Sequence, residues 1–294
     1  MSKTKQSQTA QPWSEYALLD CGNNRKLERF GKVVLIRPEP GAIWQPRLSD
    51  KEWKEKAHAE CIQVSNNKAE WKHFKPFNTN WAVSYGMHGK QLTFNLQLTR
   101  FKHVGLFPEH FVNWHFIHDA VKKSGPNPKV LNLFAYTGGA SLAAKMAGAD
   151  VIHVDSIKQV ITWAKSNMES SGLKDIRWVV EDALKFISRE HKRGNTYNGV
   201  ILDPPAFGIG AKGERWKLED SINEIMEKVA GVLDPKQHFV VLNTYSPGFT
   251  PLVLENIMKS TLKRSKNIYA KELYLQSESG YKMPTGVTGI ASSS

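Results

Sequence analysis

The chain has 294 residues, 40% of them hydrophobic, a formal net charge of +12 and only two cysteines, Cys21 and Cys61. No apolar run approaches the ~18–20 residues of a bilayer-spanning helix, and MSKTKQSQTAQPW at the start holds no apolar segment of signal-peptide length. A membrane partner, a disulfide framework and a Cys/His metal site are therefore not expected, whereas a reducing cytoplasm is.

In chain order, residues 1–12 read as a short disordered tail and 13–110 as a small β-rich region. YALLDCG and KVVLIRP have strand composition and flank GNNRKLERFG, a turn-rich link; Pro38, Pro40, Gly41 and Pro46 end that hairpin. SDKEWKEKAHAEC (49–61) offers a Ser or Asp cap followed by helix formers, which predicts a helix. WAVSYG (81–86) and QLTFNLQLT (91–99) alternate apolar and polar residues around Met87-His88-Gly89-Lys90, which predicts a second hairpin. Residues 1–130 carry 20 Lys and Arg against 11 Asp and Glu, while the remainder carries 20 against 17. Trp13, Trp44, Trp53, Trp71 and Trp81 lie in that basic part. Cations for phosphate beside rings for exposed bases are what a nucleic-acid surface needs, so RNA is the expected partner.

From 111 to 294 the rhythm changes. VNWHFIHDAVKKSG (112–125) has helical periodicity and stops at Gly125-Pro126. Strand-like runs at 129–134, 150–156, 176–182, 197–203 and 238–244 then alternate with helical stretches, among them 157–172, 218–233 and 251–265. AKELYLQSE (270–278) and TGVTGIASSS (285–294) close the chain as a hairpin. Alternation of this kind implies βαβ units, right-handed crossovers and a parallel sheet, here with an antiparallel hairpin added.

Ligands of open parallel sheets sit at the carboxyl ends of the strands, so the strand ends were read for chemistry. The first ends at Phe134 and continues AYTGGAS, where Gly138 and Gly139 allow a tight turn and close backbone approach. The second ends at Asp155, followed by Ser156; a carboxylate there can take both hydroxyls of a ribose. The third ends at Glu181-Asp182, followed by Ala183, and can accept from an adenine amino group. TGGAS lacks the third glycine of a pyrophosphate site. A nucleoside without a diphosphate fits, and S-adenosylmethionine is such a molecule; a nicotinamide dinucleotide is the rival.

The fourth strand ends LDPPAFG. Pro204 and Pro205 fix φ and remove two backbone donors, leaving carbonyls as acceptors. Asp203 adds a carboxylate, and Phe207 a flat face on which a base could stack. Asp203, Pro204, Pro205 and Phe207 are thus the catalytic candidates. Methylation at carbon needs a covalent nucleophile, usually Cys, and neither cysteine lies in 130–294; a nitrogen acceptor is compatible. Lys212, Arg215 and Trp216 could hold a phosphate or cover a substrate, or be a solvated helix start with a packed Trp. His103, His110, His115 and His118 are unevenly spaced and read as core or surface residues. LKRSK (262–266) reads as a basic helix end.

In this order and spacing, NLFAYTGGAS, HVDS, VVEDALKF and LDPPAFG resemble the class I S-adenosylmethionine-dependent methyltransferases. More narrowly they are similar to the bacterial large-subunit rRNA cytosine-C5 and guanine-N7 enzymes, and the similarity extends upstream through WAVSYGMHGKQLTFNLQLTRFKHVGLFPEHFVNW. The resemblance implies a Rossmann-like seven-stranded sheet, mostly parallel, with its last pair antiparallel. It also implies a cofactor pocket of Glu109, Asn132, Phe134, Ala135, Tyr136, Thr137, Gly138, Gly139, Asp155, Ser156, Asp182, Ala183 and Asp203. The family's C5 nucleophile falls near Thr244–Tyr245, where this chain has no Cys. The expectation is therefore methylation of a base nitrogen in ribosomal RNA. A small-molecule or protein methyltransferase, and a non-catalytic RNA- or ribosome-binding module on the same fold, are the alternatives.

Overall fold

The computed structural model describes residues 13–65, 68–100, 102–209 and 215–294. The chain divides into two compact units, one running to Val112 and including Leu275–Met283, the other comprising Asn113–Tyr274 and Pro284–Ser294.

In the first unit, β1 (Tyr16–Gly22), β2 (Arg25–Phe30) and β3 (Val33–Pro38) form an antiparallel meander. After α1 (Asp50–Lys56), β4 (Ala59–Ser65) runs parallel to β3, and β5 (Lys68–His73) pairs antiparallel with β4. The stretch read as a link thus contains the strand β2 between two turns, one at Asn23-Asn24 with φ 50° and 61° and one at Gly31 with φ 60°. Its strand pattern was hidden because two of its buried positions are charged. Glu28 accepts from Arg37 Nη2 at 2.6 Å, Arg37 Nε at 2.8 Å and Tyr16 Oη at 2.9 Å, and Lys26 lies 3.7 Å away. A buried carboxylate needs such partners. They hold the Glu28 carboxyl below its ordinary range against the opposing effect of burial.

The helix predicted over 49–61 is shorter. Ser49 and Glu52 form a capping box, but the helix ends at Lys56 and Ala59 already opens β4. His58 N bonds Val34 O at 2.7 Å, and its Nδ1 accepts from Val34 N at 3.0 Å, so sheet pairing overrides helix propensity here. The second hairpin is present as β6 (Asn80–Met87) and β7 (Lys90–Gln97), followed by a 3-10 turn at Pro108–His110.

Four of the five tryptophans of the basic part are tied into the scaffold through their N–H groups. Indole N–H groups of Trp13, Trp44 and Trp71 donate to the carbonyls of Ser84, Cys21 and Thr99 at 2.8, 2.9 and 2.7 Å. Trp53 is buried and donates to Asp20 at 3.0 Å.

After α2 (Phe111–Lys123) the strands and helices alternate: β8 (Lys129–Leu133), α3 (Gly139–Met146), β9 (Asp150–Asp155), α4 (Lys158–Ser170), β10 (Ile176–Val180), α5 (Ala183–Lys192) and β11 (Gly199–Leu202). A short hairpin, β12 (Phe207–Ile209) and β13 (Arg215–Lys217), precedes α6 (Leu218–Val232), β14 (Phe239–Thr244), α7 (Pro251–Thr261), β15 (Asn267–Gln276) and β16 (Lys282–Ser292). The sheet order is β10-β9-β8-β11-β14-β16-β15, parallel from β10 through β14 and antiparallel at β14–β16. This is the Rossmann-like sheet expected. Continuous apolar strands make it so: Leu131, Leu133, Val154, Val200, Leu202, Val240 and Leu242 pack against α5, α6 and α7. The hairpin β12–β13 was not anticipated, and LKRSK follows α7 rather than ending it. Among the described residues no helix is long and apolar enough to cross a membrane.

Candidate functional site

Strand order reverses direction between β8 and β11, which places the loops after these two strands at the switch point where open sheets bind ligands. Phe134 and Tyr136, in the loop after β8, hold left-handed backbone at φ 54° and 48°. Non-glycine residues in that region cost energy and persist where the surroundings fix them. Three anchors do so here. Tyr136 N donates to Asp155 Oδ2 at 3.0 Å, Ala135 N to Val154 O at 3.1 Å, and Asn167 Nδ2 on α4 to Thr137 O at 3.0 Å.

The glycines have packing reasons. A Cβ on Gly138 would lie 3.3 Å from Ala164 Cβ and 3.6 Å from His153 Cε1; one on Gly139 would lie 2.8 Å from the buried Trp114 ring. Gly138 also sits at φ 92° as the N-cap of α3, a tight turn as the sequence predicts.

Beneath this loop runs a buried polar chain. Asn132 Nδ2 donates to Ser141 Oγ at 2.9 Å, and Ser141 Oγ lies 3.0 Å from His153 Nδ1. Burial pushes the His153 pKa down to about 3, so the imidazole is neutral. Asn132 is thus occupied as a support, with its side chain buried.

Asp155 ends β9 at the carboxyl edge. Its Oδ1 accepts from Ile157 N at 3.0 Å and its Oδ2 from Tyr136 N, so one carboxylate joins two loops. Burial raises its pKa, against the lowering effect of these backbone donors. Ser156 N is a further backbone donor to this carboxylate, which keeps acceptor capacity for a ligand donor. Ser156 beside it is exposed. Asp182 caps α5, accepting from Lys185 N at 2.9 Å, and Ala183 is the buried first residue of that helix. Glu181, read alongside Asp182, is taken by Arg189 at 2.6 Å through both oxygens. Missed by the sequence reading are Ile157 and Val180, apolar yet 50% and 54% exposed at these strand ends. Their signal was an apolar residue just past, or closing, a strand.

The loop after β11 starts at the half-buried Asp203, runs through buried Pro204 and exposed Pro205, and reaches Phe207, which is 70% exposed. Its carbonyls are not all turned to a ligand, as the sequence suggested. The Pro205 carbonyl accepts from Trp216 Nε1 at 2.7 Å. Trp216 sits on β13 opposite Gly208 and packs on Phe134 with ring centroids 5.2 Å apart. Arg215 opens β13, and Lys212 lies outside the described residues. At the end of the neighbouring β14, Tyr245 is 38% exposed, over Gly286 of β16.

Glu109 belongs to the first unit, in the 3-10 turn, and is not among the residues that the second unit's strand ends bring together. It is buried, which raises its pKa. Both cysteines are free and buried in the first unit, their thiols pushed up to about 11 by burial.

A family profile described as S-adenosylmethionine-dependent methyltransferase matches residues 61–261. The crystal structure of a SAM-dependent methyltransferase from Agrobacterium tumefaciens is similar over 95% of this chain and 91% of its own, with 35% identity and a TM-score of 0.87. The structure of SMU.776, solved in complex with SAH, shares the fold at TM-score 0.69 and 18% identity, covering 94% of this chain and 75% of its own. Ribosomal RNA large subunit methyltransferase K/L of Shewanella frigidimarina is 33% identical over 155 residues. That match takes in 51% of this chain but only 21% of the relative, so the chain corresponds to about a fifth of that protein's length.

Proposed function

From the premise that this chain belongs to the S-adenosylmethionine-dependent methyltransferases, we propose that it methylates a base nitrogen in RNA, with large-subunit ribosomal RNA as substrate. The observation that carries this reading is the row of acceptors along one sheet edge, from Asp182 and Asp155 to Asp203 and the Pro-Pro turn, flanking the switch point. Support for the RNA substrate comes from the rRNA methyltransferase relatives and from the basic first 130 residues.

The residues fit the cofactor on chemical grounds. Asp155 keeps acceptor capacity for a ribose hydroxyl, and its backbone donors fix its orientation. Ile157 and Val180 offer apolar surface for the faces of an adenine, and Asp182 follows shortly after Val180 in the chain for its amino group. No phosphate needs a cradle, which suits a loop whose glycines are filled by Trp114 and Ala164. Bound there, the cofactor would supply a methyl on a cationic sulfur, an electrophile toward an acceptor nitrogen, with the neutral thioether as leaving group.

Positioning then supplies most of the rate effect. Asp203 and the Pro204 carbonyl accept hydrogens from the acceptor's amino or imino edge and turn its lone pair toward the methyl. The proton lost after transfer leaves through the Asp203 carboxylate to water. Phe207, exposed and apolar, covers the base face. A carbon acceptor would need a nucleophile that the second unit lacks, because both cysteines lie elsewhere and stay protonated.

Methyl-labelled cofactor incubated with rRNA from cells lacking the gene tests this proposal. The expected result is label in large-subunit rRNA, released on digestion as an N-methylated nucleoside, and loss of that label with Asp203→Ala. Label appearing only in protein or in a small metabolite would contradict it. So would full biological activity of Asp203→Ala, the result a pure binding module gives.

A further inference from the structure

Two consecutive prolines remove the backbone donors at two positions of the turn after β11, so Pro204 and Pro205 cannot be pinned through their nitrogens. Only their carbonyls can be held, and a side chain from another segment holds one. Trp216 Nε1 donates to Pro205 O at 2.7 Å. Its ring meets Phe134, the left-handed residue just past β8, at 5.2 Å between centroids and 49° between planes. Its backbone lies opposite Gly208, whose missing Cβ would otherwise lie 3.5 Å from Trp216 Cβ. The next backbone contact, Leu218 N to Ala206 O at 3.0 Å, fastens the same turn from the start of α6.

We propose that Trp216 is a positioning residue that couples the cofactor loop to the acceptor turn, fixing the Pro-Pro corner by its N–H and Phe134 by its ring. The assignment of these two loops to cofactor and acceptor rests on the function proposed above. A tryptophan present only for packing would need no N–H partner, since at this half-buried position the N–H could be left to water. The bond to Pro205 has a directional consequence. It commits that carbonyl to β13 and so takes it out of the set offered to a substrate, while fixing the corner on which Asp203 and the Pro204 carbonyl lie.

Two variants separate the two jobs. Trp216→Phe keeps a ring against Phe134 and removes the N–H; Trp216→Leu removes both. Each is measured for S-adenosylhomocysteine affinity by calorimetry, for amide exchange at Ala206–Gly208 and at Tyr136–Gly139, and for methyl transfer to rRNA. For Trp216→Phe, affinity for S-adenosylhomocysteine stays within about twofold of wild type. Exchange at Ala206–Gly208 speeds up about five- to tenfold, the size expected for one lost hydrogen bond, while Tyr136–Gly139 is unchanged. Turnover falls about tenfold with the cofactor KM unmoved. Trp216→Leu adds a loss of about fivefold in cofactor affinity. Wild-type exchange rates at Ala206–Gly208 in Trp216→Phe would overturn the proposal, as would equal loosening of both loops. Failure of the wild-type protein to bind S-adenosylhomocysteine would instead overturn the functional reading beneath it, while the exchange comparison still decides whether Trp216 holds the corner.

Discussion

Both units bury polar groups, but they place them differently. In the first unit two buried carboxylates, Glu28 and Asp20, lie within β2 and β1 and are saturated. Glu28 is ringed by Arg37, Tyr16 and Lys26, and Asp20 accepts from Leu48 N, Cys21 N, Trp53 Nε1 and Ser279 Oγ at 2.7–3.0 Å. In the second unit the strands are apolar along most of their length, and Asp155 and Asp182 at the carboxyl ends are held by backbone donors. The contrast separates architecture from site. A buried charge whose every position is filled specifies a fold, whereas a strand-end carboxylate held by backbone donors and still able to accept is prepared for a ligand.

Removing the most saturated group should have the largest effect. Glu28→Ala leaves Arg37 buried without its partner and is expected to lower stability by about 3–5 kcal/mol in urea unfolding. Replacing Glu28 and Arg37 together by apolar residues of similar size should recover most of that loss. If Glu28→Ala unfolded like wild type, the first unit would not depend on its buried ion pair.

Asp155→Ala is the matching change in the second unit. Its expected cost falls on ligand affinity: about 30- to 100-fold weaker S-adenosylhomocysteine binding, or about 2–3 kcal/mol, from hydrogen bonds to a charged group. Because burial raises the Asp155 pKa and the ligand needs the ionised form, wild-type affinity should also fall as pH drops through that raised value. A pH-independent affinity down to the unperturbed carboxylate range would count against the ribose assignment.

Gly139→Ala drives a methyl into the Trp114 ring, at 2.8 Å in the unrelaxed backbone. A destabilisation of about 1–3 kcal/mol is expected from such overpacking, measurable by thermal melting. An unchanged melting temperature would mean the loop is looser than its contacts imply.

Each unit also holds a neutral histidine shielded from solvent, the half-buried His103 in the first and the buried His153 in the second, both pushed down to about 3 by desolvation. Between the unfolded value of about 6.5 and the folded value, the unfolded chain binds the extra proton, so stability falls as pH falls. The slope is about 1.4 kcal/mol per pH unit for each histidine. His153→Gln should flatten the acid limb of the second unit's unfolding and leave the first unit's limb in place; His103→Gln should do the reverse. If neither variant changes the slope, carboxylate titration rather than histidine dominates the acid response.

The same contrast explains what the sequence made legible. Runs such as VLNLF and GVILD are apolar on both faces because helices cover both sides of a parallel sheet, so their strands and ends could be read directly, and with them Asp155 and Asp203. RKLERF could not be read so, because Lys26 and Glu28 occupy inward positions whose partners, Arg37 and Tyr16, lie on neighbouring strands. In the site the packing reasons for Gly138 and Gly139 were not legible because Trp114 and Ala164, the residues they lie against, are 25 residues away or farther in the chain. Trp216 was legible as a packed ring but not as a donor to Pro205, since that bond needs β13 paired on β12.

Calorimetric titration of the intact protein with S-adenosylhomocysteine, and separately with a reduced nicotinamide dinucleotide, tests the central claim most directly. One equivalent of heat with the first and none with the second is the predicted outcome. Silence with S-adenosylhomocysteine, or saturable heat with the dinucleotide, would show that this sheet edge serves another ligand.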